Sequence, residues 1–309
     1  MSTKIQWTDE TWNPVTGCTK ISPGCANCYA ERMAKRLTGR CGYPAAPNQF
    51  DVRLHPNRLD QPLSWRKPRM CFVCSMSDLF HEEVSDDFVL RVFAAIALSR
   101  KHTFQVLTKR PRRMAEFAQR IQGQAEYDND VEYYASELAV RWGAHEHAES
   151  LGGTYQAGQY GDEGRCEIAP AYEGMSIPWP LPHVWIGVTA EDQKRADERI
   201  PLLLDTPAAV RFVSVEPMLG SIDLDDFWGA KPGWGEPEGI DWVIIGCESG
   251  PHRRPMQIEW ALDLVRQCKA AGVPVFVKQL SINGKVNHNP DEWPEELRVR
   301  EYPSVEAKA

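Results

Sequence analysis

Residues 11–30 read TWNPVTGCTKISPGCANCYA and place three cysteines, Cys18, Cys25 and Cys28, close together in the chain. Proline and glycine surround the first two cysteines, which indicates a loop, and a helix is expected over residues 29–37. Three thiolates on one loop suit a soft metal centre. Iron–sulfur clusters are held by cysteine thiolates, usually four, so a set of three would leave one iron open to a substrate or cofactor.

A structural zinc site is the alternative metal centre for this loop. Zinc normally takes four ligands, often as two short pairs of cysteine or histidine. Only Cys25 and Cys28 form such a pair, so a further ligand must come from elsewhere, with Cys41 the nearest candidate. Thiols that bind no metal are the third interpretation of the same residues.

Length and composition are those of a soluble globular protein. With 309 residues the chain is long enough for one large domain or two ordinary ones. The N-terminal residues lack the apolar segment of a signal peptide, and no run approaches the roughly 18 apolar residues of a membrane span. Nine cysteines, an odd number, fit a reducing compartment better than a secreted disulfide framework. We therefore expect a cytoplasmic protein with no membrane partner.

The net charge of −8 argues against nonspecific binding to nucleic acid over the whole surface, but it is compatible with a local basic groove. Two clusters of basic residues are candidates for such a groove. One comprises Lys109, Arg110, Arg112 and Arg113, and the other comprises Arg253 and Arg254. Ordinary solvated surface charge is the alternative interpretation of each cluster.

Apolar strands and helical patterns alternate along much of the chain. Strands are expected near residues 4–12, 70–76, 103–107, 183–188, 210–215, 242–246 and 273–277. Helices are expected after Ser85 as N-cap, from Pro111 onward, and before Gly272. This alternation predicts βαβ units and a parallel sheet. About seven strands favour a complete or partial TIM-type barrel over a flat sheet.

The alternation predicts a single domain over residues 1–309 with one insertion and a tail. The insertion covers about residues 122–182, which are acidic, aromatic and rich in glycine and lack the βα rhythm. We expect it to lie over the mouth of the barrel as a lid. The tail, from about residue 283, is polar and is expected to wrap the outside of the barrel.

Ionisable, amide or hydroxyl side chains follow six of the expected strands. In a parallel barrel the chemistry lies at the carboxyl ends of the strands, so these side chains should meet the cysteines at one rim. Helix N-caps and mutual ion pairs between lysines and glutamates are the alternative roles for them. They are Ser77, Asp78, Thr108, Lys109, Thr189, Glu191, Glu216, Glu248, Ser249, Lys278 and Gln279.

The spacing Cys-x6-Cys-x2-Cys, followed by Tyr-Ala, resembles a widened form of the Cys-x3-Cys-x2-Cys loop of the radical S-adenosylmethionine (SAM) enzymes. The run GCANCYA, residues 24–30, is similar to the cluster loop of the spore photoproduct lyase branch. More closely, the chain resembles the phage and bacterial "three-Cys-motif" proteins, a family related to that superfamily. This resemblance covers nearly the whole chain through LTKRP, GVTAEDQ, VEPMLGSIDL, GCESGP and VKQL.

The resemblance implies a barrel of the radical SAM kind in which the three cysteines bind a [4Fe–4S] cluster whose open iron binds SAM. The run IIGCESG resembles the strand end that contacts SAM in such barrels. There Gly246 permits close approach of the backbone, and Glu248 can accept hydrogen bonds from an ammonium or a ribose hydroxyl.

Other residues are expected to contact the cofactor for similar reasons. Thr108-Lys109 resembles the Thr-Lys pair at the third strand of the photoproduct-lyase-like branch, where a lysine can pair with the SAM carboxylate or a substrate phosphate. Asn27 and Tyr29 flank the last cysteine. The remaining expected cofactor-binding residues are Ser77 and Asp78.

Two functions follow as hypotheses. The first is an enzyme that uses an electron from a reductant or electron-donor protein to cleave SAM and form a 5′-deoxyadenosyl radical. Its substrate is expected to be a nucleic-acid base or nucleotide, and its candidate catalytic residues are Lys109, Glu216 and Lys278. The second is a non-catalytic, zinc-stapled module that binds nucleic acid or a protein and does not turn over SAM.

Overall fold

A computed structural model describes residues 3–123, 130–157, 159–160, 166–168, 171–173, 175–229 and 239–304. These residues form a mixed α/β fold built on one large, mostly parallel sheet of eight strands. The α/β class predicted from the alternating pattern is therefore confirmed.

The strands of this sheet lie side by side in the order in which they occur along the chain. The first seven are parallel, and the eighth pairs antiparallel with the end of the seventh. Because the parallel strands all point the same way, their carboxyl ends meet at one edge. The strands are β1 (Glu10–Trp12), β2 (Met70–Val73), β3 (Thr103–Thr108), β4 (Val184–Thr189), β5 (Val210–Val215), β6 (Trp242–Gly246), β7 (Val275–Ile282) and β8 (Lys285–Asn287).

Local sequence signals set several helix ends as predicted. Ser85 Oγ accepts a hydrogen bond from Phe88 N (3.3 Å) at the start of the second helix, and Pro111 is the first residue of the third. Gly272, with φ 71°, ends the last. The helices are α1 (Tyr29–Arg36), α2 (Asp86–Ala97), α3 (Pro111–Gly123), α4 (Asp130–Trp142), α5 (His145–Glu149), α6 (Gln193–Leu204) and α7 (Ile258–Ala271).

The two faces of the sheet bury different side chains. Residues such as Val243 and Ile245 of β6 join the large core shared with the helices, whereas their neighbours Trp242 and Ile244 point to the other face. That other face is covered by an inner-face cluster, which comprises Trp7, Trp185, Val210, Phe212, Trp242, Ile244 and Phe276.

The inner-face cluster requires a strongly curved sheet. Trp7 lies just before β1, and Trp242 begins β6, five strand spacings away. In a flat sheet that separation would be about 24 Å. The two indole rings nevertheless lie 6.3 Å apart, edge to face. The sheet therefore folds over its own inner face and brings distant strands into contact.

The C-terminal segment lies along the open side of β7. Val277 N donates to Val299 O (3.0 Å) and Glu301 N donates to Val275 O (3.0 Å). Arg300 Nη2 in turn donates to Gln6 Oε1 (3.1 Å), which links this segment to the residues before β1. The segment thus connects β7 with the residues before β1, at the two ends of the row of parallel strands.

The tail is less external than its polar composition predicts. Trp293 and Leu297, both buried, belong to the large core. Residues 305–309 of the tail lie outside the described residues. Within the described ranges, no helix is long and apolar enough to cross a membrane.

The predicted insertion, residues 122–182, contains regular structure that the sequence pattern did not reveal. It holds all of α4 and α5 and two short antiparallel pairings, Thr154–Gln156 with Ala171–Glu173 and Gln159–Tyr160 with Cys166–Ile168. α4 packs on α2, where Arg91 Nη1 lies 3.0 Å from Glu137 Oε2. The described part of the insertion therefore extends the helical layer. Residues 124–129, 158, 161–165, 169–170 and 174 lie outside the described residues.

Candidate metal centre and adjoining pocket

The cysteine loop, residues 13–28, follows β1 and therefore begins at the carboxyl edge of the sheet. Gly17 has φ +84°, and a Cβ on it would overlap the Asp51 carbonyl group. This close approach lets Cys18 N donate to Phe50 O (3.1 Å), while Gly17 N donates to Met76 O (3.1 Å). Backbone hydrogen bonds on both sides therefore fix the position of the first cysteine.

The other two cysteines lie where the loop turns into α1. Cys25 ends a short 3₁₀ helix, Pro23–Cys25, and its N–H donates to Ser22 O (2.9 Å). Cys28 occupies the N-cap position of α1 without making a side-chain cap, so its sulfur is not used to close the helix end. Proline at the start of the 3₁₀ turn favours this local path.

One pocket of about 270 Å³ lies beside the cysteine loop. Cys18, Cys25 and Cys28 all line it, and all three are half-buried free thiols. Six strand ends also deliver side chains to it, as the parallel arrangement predicts. The predicted residues on its wall are Asn27, Tyr29, Ser77, Asp78, Thr108, Lys109, Thr189, Glu216, Glu248, Ser249, Lys278 and Gln279.

No residue of the insertion that the structure describes lines this pocket. The described part thus offers no support for a lid. For the residues of the insertion outside the described ranges, the lid stays a prediction.

Asp78, which follows β2, is saturated by groups of the protein itself. Its Oδ1 accepts from Thr108 Oγ1 (2.7 Å) and Phe80 N (3.0 Å), and its Oδ2 accepts from Lys109 N (3.0 Å) and Arg110 Nη1 (3.2 Å). A carboxylate offers about four lone-pair sites. Asp78 therefore joins the ends of β2 and β3 and has no acceptor capacity left for a ligand.

Glu248, which follows β6, also accepts four hydrogen bonds from groups of the protein itself, three of them at one oxygen. Its Oε2 accepts from Asn27 Nδ2 (2.9 Å) and from Arg254 N (2.7 Å) and Nε (3.0 Å), and its Oε1 accepts from Arg254 Nη2. Arg254 Nη2 also donates to Pro23 O (2.9 Å). Burial raises the pKa of Glu248, but the hydrogen bonds from Arg254 and Asn27 outweigh it and hold the pKa below its ordinary value. Glu248 thus ties the end of β6 to the cysteine loop.

Glu191, which follows β4, provides a third attachment. Its Oε1 accepts from Gly24 N (3.0 Å), next to Cys25, and its Oε2 pairs with Arg199 Nη1 (2.9 Å). The Glu191 side chain is fully buried. Burial raises its pKa, but Arg199 and the hydrogen bonds from the loop lower it by more, so the group is held as a carboxylate.

These three carboxylates therefore each attach a different part of the cysteine loop to a different strand end. Asp78 does so through Arg110, which reaches Cys18, whereas Glu191 binds beside Cys25 and Glu248 binds Asn27 beside Cys28. Such attachments restrict the positions that the loop can take, and they hold its side chains on rigid strand ends.

Glu216 and Lys278 face the pocket with unused hydrogen-bonding capacity. Lys278 Nζ lies 3.1 Å from Glu216 Oε1 as an ion pair, but the alignment is not that of a hydrogen bond, and no described residue hydrogen-bonds that oxygen. Gly246 lies directly beneath, and a Cβ there would overlap Glu216 Oε1. The glycine thus makes room for the carboxylate.

Lys109 is the other cation on the pocket wall. Its Nζ donates to Thr189 Oγ1 (3.3 Å), and no carboxylate of the described residues lies within ion-pair distance of it. Burial raises the pKa of the Cys25 thiol, but the Lys109 ammonium and hydrogen bonds from residues 21 and 22 lower it to a value below the ordinary one. Burial and Asp78 raise the pKa of Cys18 to about 11 despite Arg110. The surroundings of Cys18 and Cys25 therefore shift the pKa values of the two thiols in opposite directions.

The donor set beside the pocket consists of three thiols, the ligand type that iron–sulfur clusters use. Within the described ranges, no group of three or more His, Cys, Asp or Glu side chains is placed to hold one metal ion. An iron–sulfur cluster distributes its thiolate ligands over several iron atoms, so the sulfurs need not converge on one point. Three soft thiols beside one pocket, with Cys41 not among its lining residues, match that requirement.

A family described as "Protein of unknown function (DUF5131)" matches residues 2–301. The chain belongs to the DUF5131 family. No curated protein and no solved structure matches it. The part matched by the DUF5131 family contains the cysteine loop, all eight strands and every residue that lines the pocket.

In this DUF5131 protein the sequence indicates which side chains meet beside the cysteine loop, but not all of their partners. The alternative of lysine–glutamate pairing holds for Lys278 and Glu216, whereas Glu248 pairs with Arg254. The sequence marks Arg254 and Arg110 only as members of basic clusters, and it does not reveal the contact from Glu191 to the loop. Their partners lie 231, 92 and 167 residues away in the chain, so no local pattern could reveal them.

The basic clusters are largely used inside the fold. Arg110 is buried, Arg113 donates to the backbone carbonyls of His81 and Val84, and Arg253 donates to Gly250 O (3.0 Å). Arg112 is exposed. Less positive charge is thus free to meet a nucleic acid than the sequence alone indicated.

Proposed function

We propose that this protein is a radical SAM-type iron–sulfur enzyme. In this proposal Cys18, Cys25 and Cys28 hold a [4Fe–4S] cluster and leave one iron open for SAM. The observation that carries the proposal is that all three thiols line one pocket at the carboxyl edge of a parallel sheet, beside polar side chains from six strand ends.

We also propose that the curved sheet is a partial barrel of the radical SAM kind. Support comes from the unbroken strand order and from the inner-face cluster, in which Trp7 meets Trp242. A sheet that adds each parallel strand on the same side and curves around its own inner face has the construction of a βα barrel.

When bound and reduced, the cluster would supply one electron that cleaves SAM to methionine and a 5′-deoxyadenosyl radical, which takes a hydrogen atom from the substrate. The electron comes from a reductant or electron-donor protein. The protein's part is to bind, orient and exclude water.

Lys109, Glu216 and Lys278 are the side chains best placed to meet the cofactor or substrate. Lys109 has no carboxylate partner among the described residues, so its ammonium is available for the SAM carboxylate or a substrate phosphate. Glu216 also lines the pocket, and its buried Oε1, which is ion-paired with Lys278 Nζ, makes no hydrogen bond with a described residue. Asp78 and Glu248, which the sequence suggested as cofactor contacts, are occupied with holding the loop.

A nucleic-acid base or nucleotide remains the proposed substrate class. Lys109 and the exposed Arg112 are the two cations of the first basic cluster that no carboxylate of the described residues neutralises. Arg253 of the second cluster hydrogen-bonds only backbone carbonyls and likewise has no carboxylate partner among the described residues. Three such charges suit a single nucleotide or a short flipped segment better than a long duplex, because duplex affinity grows with the number of phosphates contacted.

Anaerobic reconstitution with iron and sulfide tests the proposal. Wild type should bind about four iron atoms per chain, absorb light at about 400 nm and, with dithionite, convert SAM to 5′-deoxyadenosine. Cys18→Ala should lose all three properties. Cys41→Ala is the matched control, since this exposed cysteine does not line the pocket, and it should retain them.

The same measurements separate the zinc-stapled module. Stoichiometric zinc in the anaerobically purified protein, lost in Cys41→Ala, together with no iron uptake, would replace the enzymatic proposal with the structural one.

A further inference from the structure

Arg110 occupies an unusual position for a residue of a basic cluster. It stands between the end of β3 and the start of α3, and only 7% of its surface is exposed. A buried guanidinium must be paired, because an isolated charge in the interior is strongly unfavourable. Its partners therefore show what it does.

Its hydrogen bonds go to two carboxylates and to the cysteine loop. Nε donates to both oxygens of Glu82 (2.9 Å each), and Nη1 donates to Asp78 Oδ2 (3.2 Å). Nη1 also donates to Cys18 Sγ (3.6 Å), and Nη2 donates to Thr19 Oγ1 (2.9 Å). The two carboxylates fix the orientation of the guanidinium group, and its hydrogen bond in turn holds the sulfur of Cys18 in place.

The three cysteines differ in this respect. Cys25 Sγ lies 3.7 Å from the hydroxyl oxygen of Ser22, a neutral group. Within the described residues, Cys18 is the only one of the three whose sulfur accepts a hydrogen bond from a charged group. Arginine keeps its proton at every accessible pH, so this donor is permanent.

We infer that Arg110 is a positioning residue that holds Cys18 in its ligand geometry and, in the loaded enzyme, raises the reduction potential of the cluster. The second half of this inference rests on the proposed function, whereas the first half does not. A hydrogen bond from a cation to a ligand sulfur stabilises the more negative, reduced cluster, and hydrogen bonds to the sulfurs are among the factors that set cluster potentials.

Arg110→Gln tests both halves. In the reconstituted protein we expect a cluster with a more negative midpoint potential in an anaerobic redox titration monitored by electron paramagnetic resonance. Arg110→Lys keeps the charge but not the fork of donors, and it should give an intermediate potential. Arg113→Gln is the matched control: this neighbour on α3 pairs with Asp86 and touches no cysteine, so the potential should not change.

Glu82→Gln should shift the reduction potential of the cluster in the opposite direction, and it changes a side chain at the surface. The Glu82 side chain is 66% exposed, so the variant should fold normally, while Arg110 loses one of its two neutralising partners. We expect a more positive potential. If Arg110→Gln does not fold, Glu82→Gln and Arg110→Lys carry the test.

Amide hydrogen exchange in the apoprotein tests the positioning role alone. Exchange at residues 17–20 should be faster in Arg110→Gln than in wild type and unchanged in Arg113→Gln. Unchanged exchange would overturn the positioning role, and potentials that do not move in Arg110→Gln or Glu82→Gln would overturn the tuning role. A wild type that assembles no cluster would refute the proposed function and the tuning role with it, and the exchange result would still decide the positioning role.

Discussion

Gly17 is the residue whose conformation most directly constrains the cysteine loop. Its φ of +84° lies in the left-handed region, and the Asp51 carbonyl occupies the space where a Cβ would be. A side chain here faces two separate penalties. One is the cost of the backbone conformation, and the other is the overlap with the neighbouring chain.

Gly17→Ala should therefore destabilise the protein more than a glycine replacement elsewhere with a similar φ. Gly39 is the matched control, with φ +68° and no atom within 4 Å of the place that a Cβ would take. Gly39→Ala should cost about 1–2 kcal/mol of unfolding free energy, and Gly17→Ala about 1–3 kcal/mol more, because of the overlap. Urea denaturation measures both, and equal values would show that the Asp51 contact relaxes freely.

The buried side chain of His102 makes the folding stability of the protein depend on pH. Burial lowers its pKa to about 4, despite the hydrogen bond between its Nε2 and Pro62 O (3.1 Å). An unfolded histidine titrates near pH ~6.5, so as the pH falls from there to about 4 the unfolded chain gains a proton that the folded chain does not. The free energy that His102 contributes to folding is therefore present in full above about pH 6.5 and is lost as the pH falls from there to about 4.

His102→Gln should flatten this pH dependence, since the Gln amide can still donate to Pro62 O but does not titrate. One such group contributes a slope of at most about 1.4 kcal/mol per pH unit. Unfolding free energies at several pH values between about 4 and 7 measure it. His55, whose pKa burial also lowers to about 4, should retain a slope of its own. An unaltered slope in His102→Gln would contradict the assignment.

At the scale of elements, the cysteine loop and the strand ends form one unit. The loop contains a two-residue strand, Val15–Thr16, which pairs with Arg53–Leu54, and a short 3₁₀ turn. Contacts with the residues after β2, β3, β4 and β6 hold it at the edge of the sheet. α6 is part of the same arrangement, because its Arg199 holds Glu191 in place. A change at a strand end should therefore be felt in the loop.

Glu191→Gln should show this coupling. It leaves the buried Arg199 without a counter-charge, and breaking a buried pair in this way typically costs about 3–5 kcal/mol. Glu198→Gln on the same helix is the matched control, because Glu198 is half exposed and its pairs are surface pairs. It should cost no more than about 1 kcal/mol. Denaturation gives both values, and iron uptake should fall only in Glu191→Gln. A loss of unfolding free energy in Glu191→Gln no larger than that in Glu198→Gln would contradict the role of Glu191 in attaching the cysteine loop to the end of β4.

At the scale of the whole molecule, the curvature of the sheet depends on the inner-face cluster. Trp7 contacts Phe72 and Trp242 with ring centroids 4.7 and 6.3 Å away, and so joins the beginning of the chain to a late strand. A flat sheet would leave these aromatic rings in water. Their burial is what stabilises the curved form.

Trp7→Ala should accordingly destabilise the whole protein, by about 3–5 kcal/mol, as expected for a large buried aromatic side chain. Tyr133→Ala, at a site where 68% of the residue is exposed, should change stability by no more than about 0.5 kcal/mol. Thermal or urea unfolding compares the two. A Trp7→Ala variant as stable as wild type would mean that the residues before β1 are not part of the cooperative core.

The sequence by itself determined the α/β class, most of the strands, and the side chains that meet at the carboxyl edge. It could do so because strand burial, helix caps and the direction of parallel strands are properties of short segments. Ser85, Pro111 and Gly272 act on their immediate neighbours, and each prediction based on them is confirmed. The helices of the insertion escaped prediction because α4 draws its burial from packing on α2.

Only the tertiary structure decided which polar groups pair. Asn27 and Glu248 are 221 residues apart, and nothing near either in the chain identifies the other. A hydrogen bond or an ion pair depends on distance in space and on burial, and both are set by the folding of the whole sheet. For that reason the sequence indicated which groups line the pocket, whereas the fold determined that Asp78 and Glu248 hold the loop and that Lys109 lines the pocket without a carboxylate partner among the described residues.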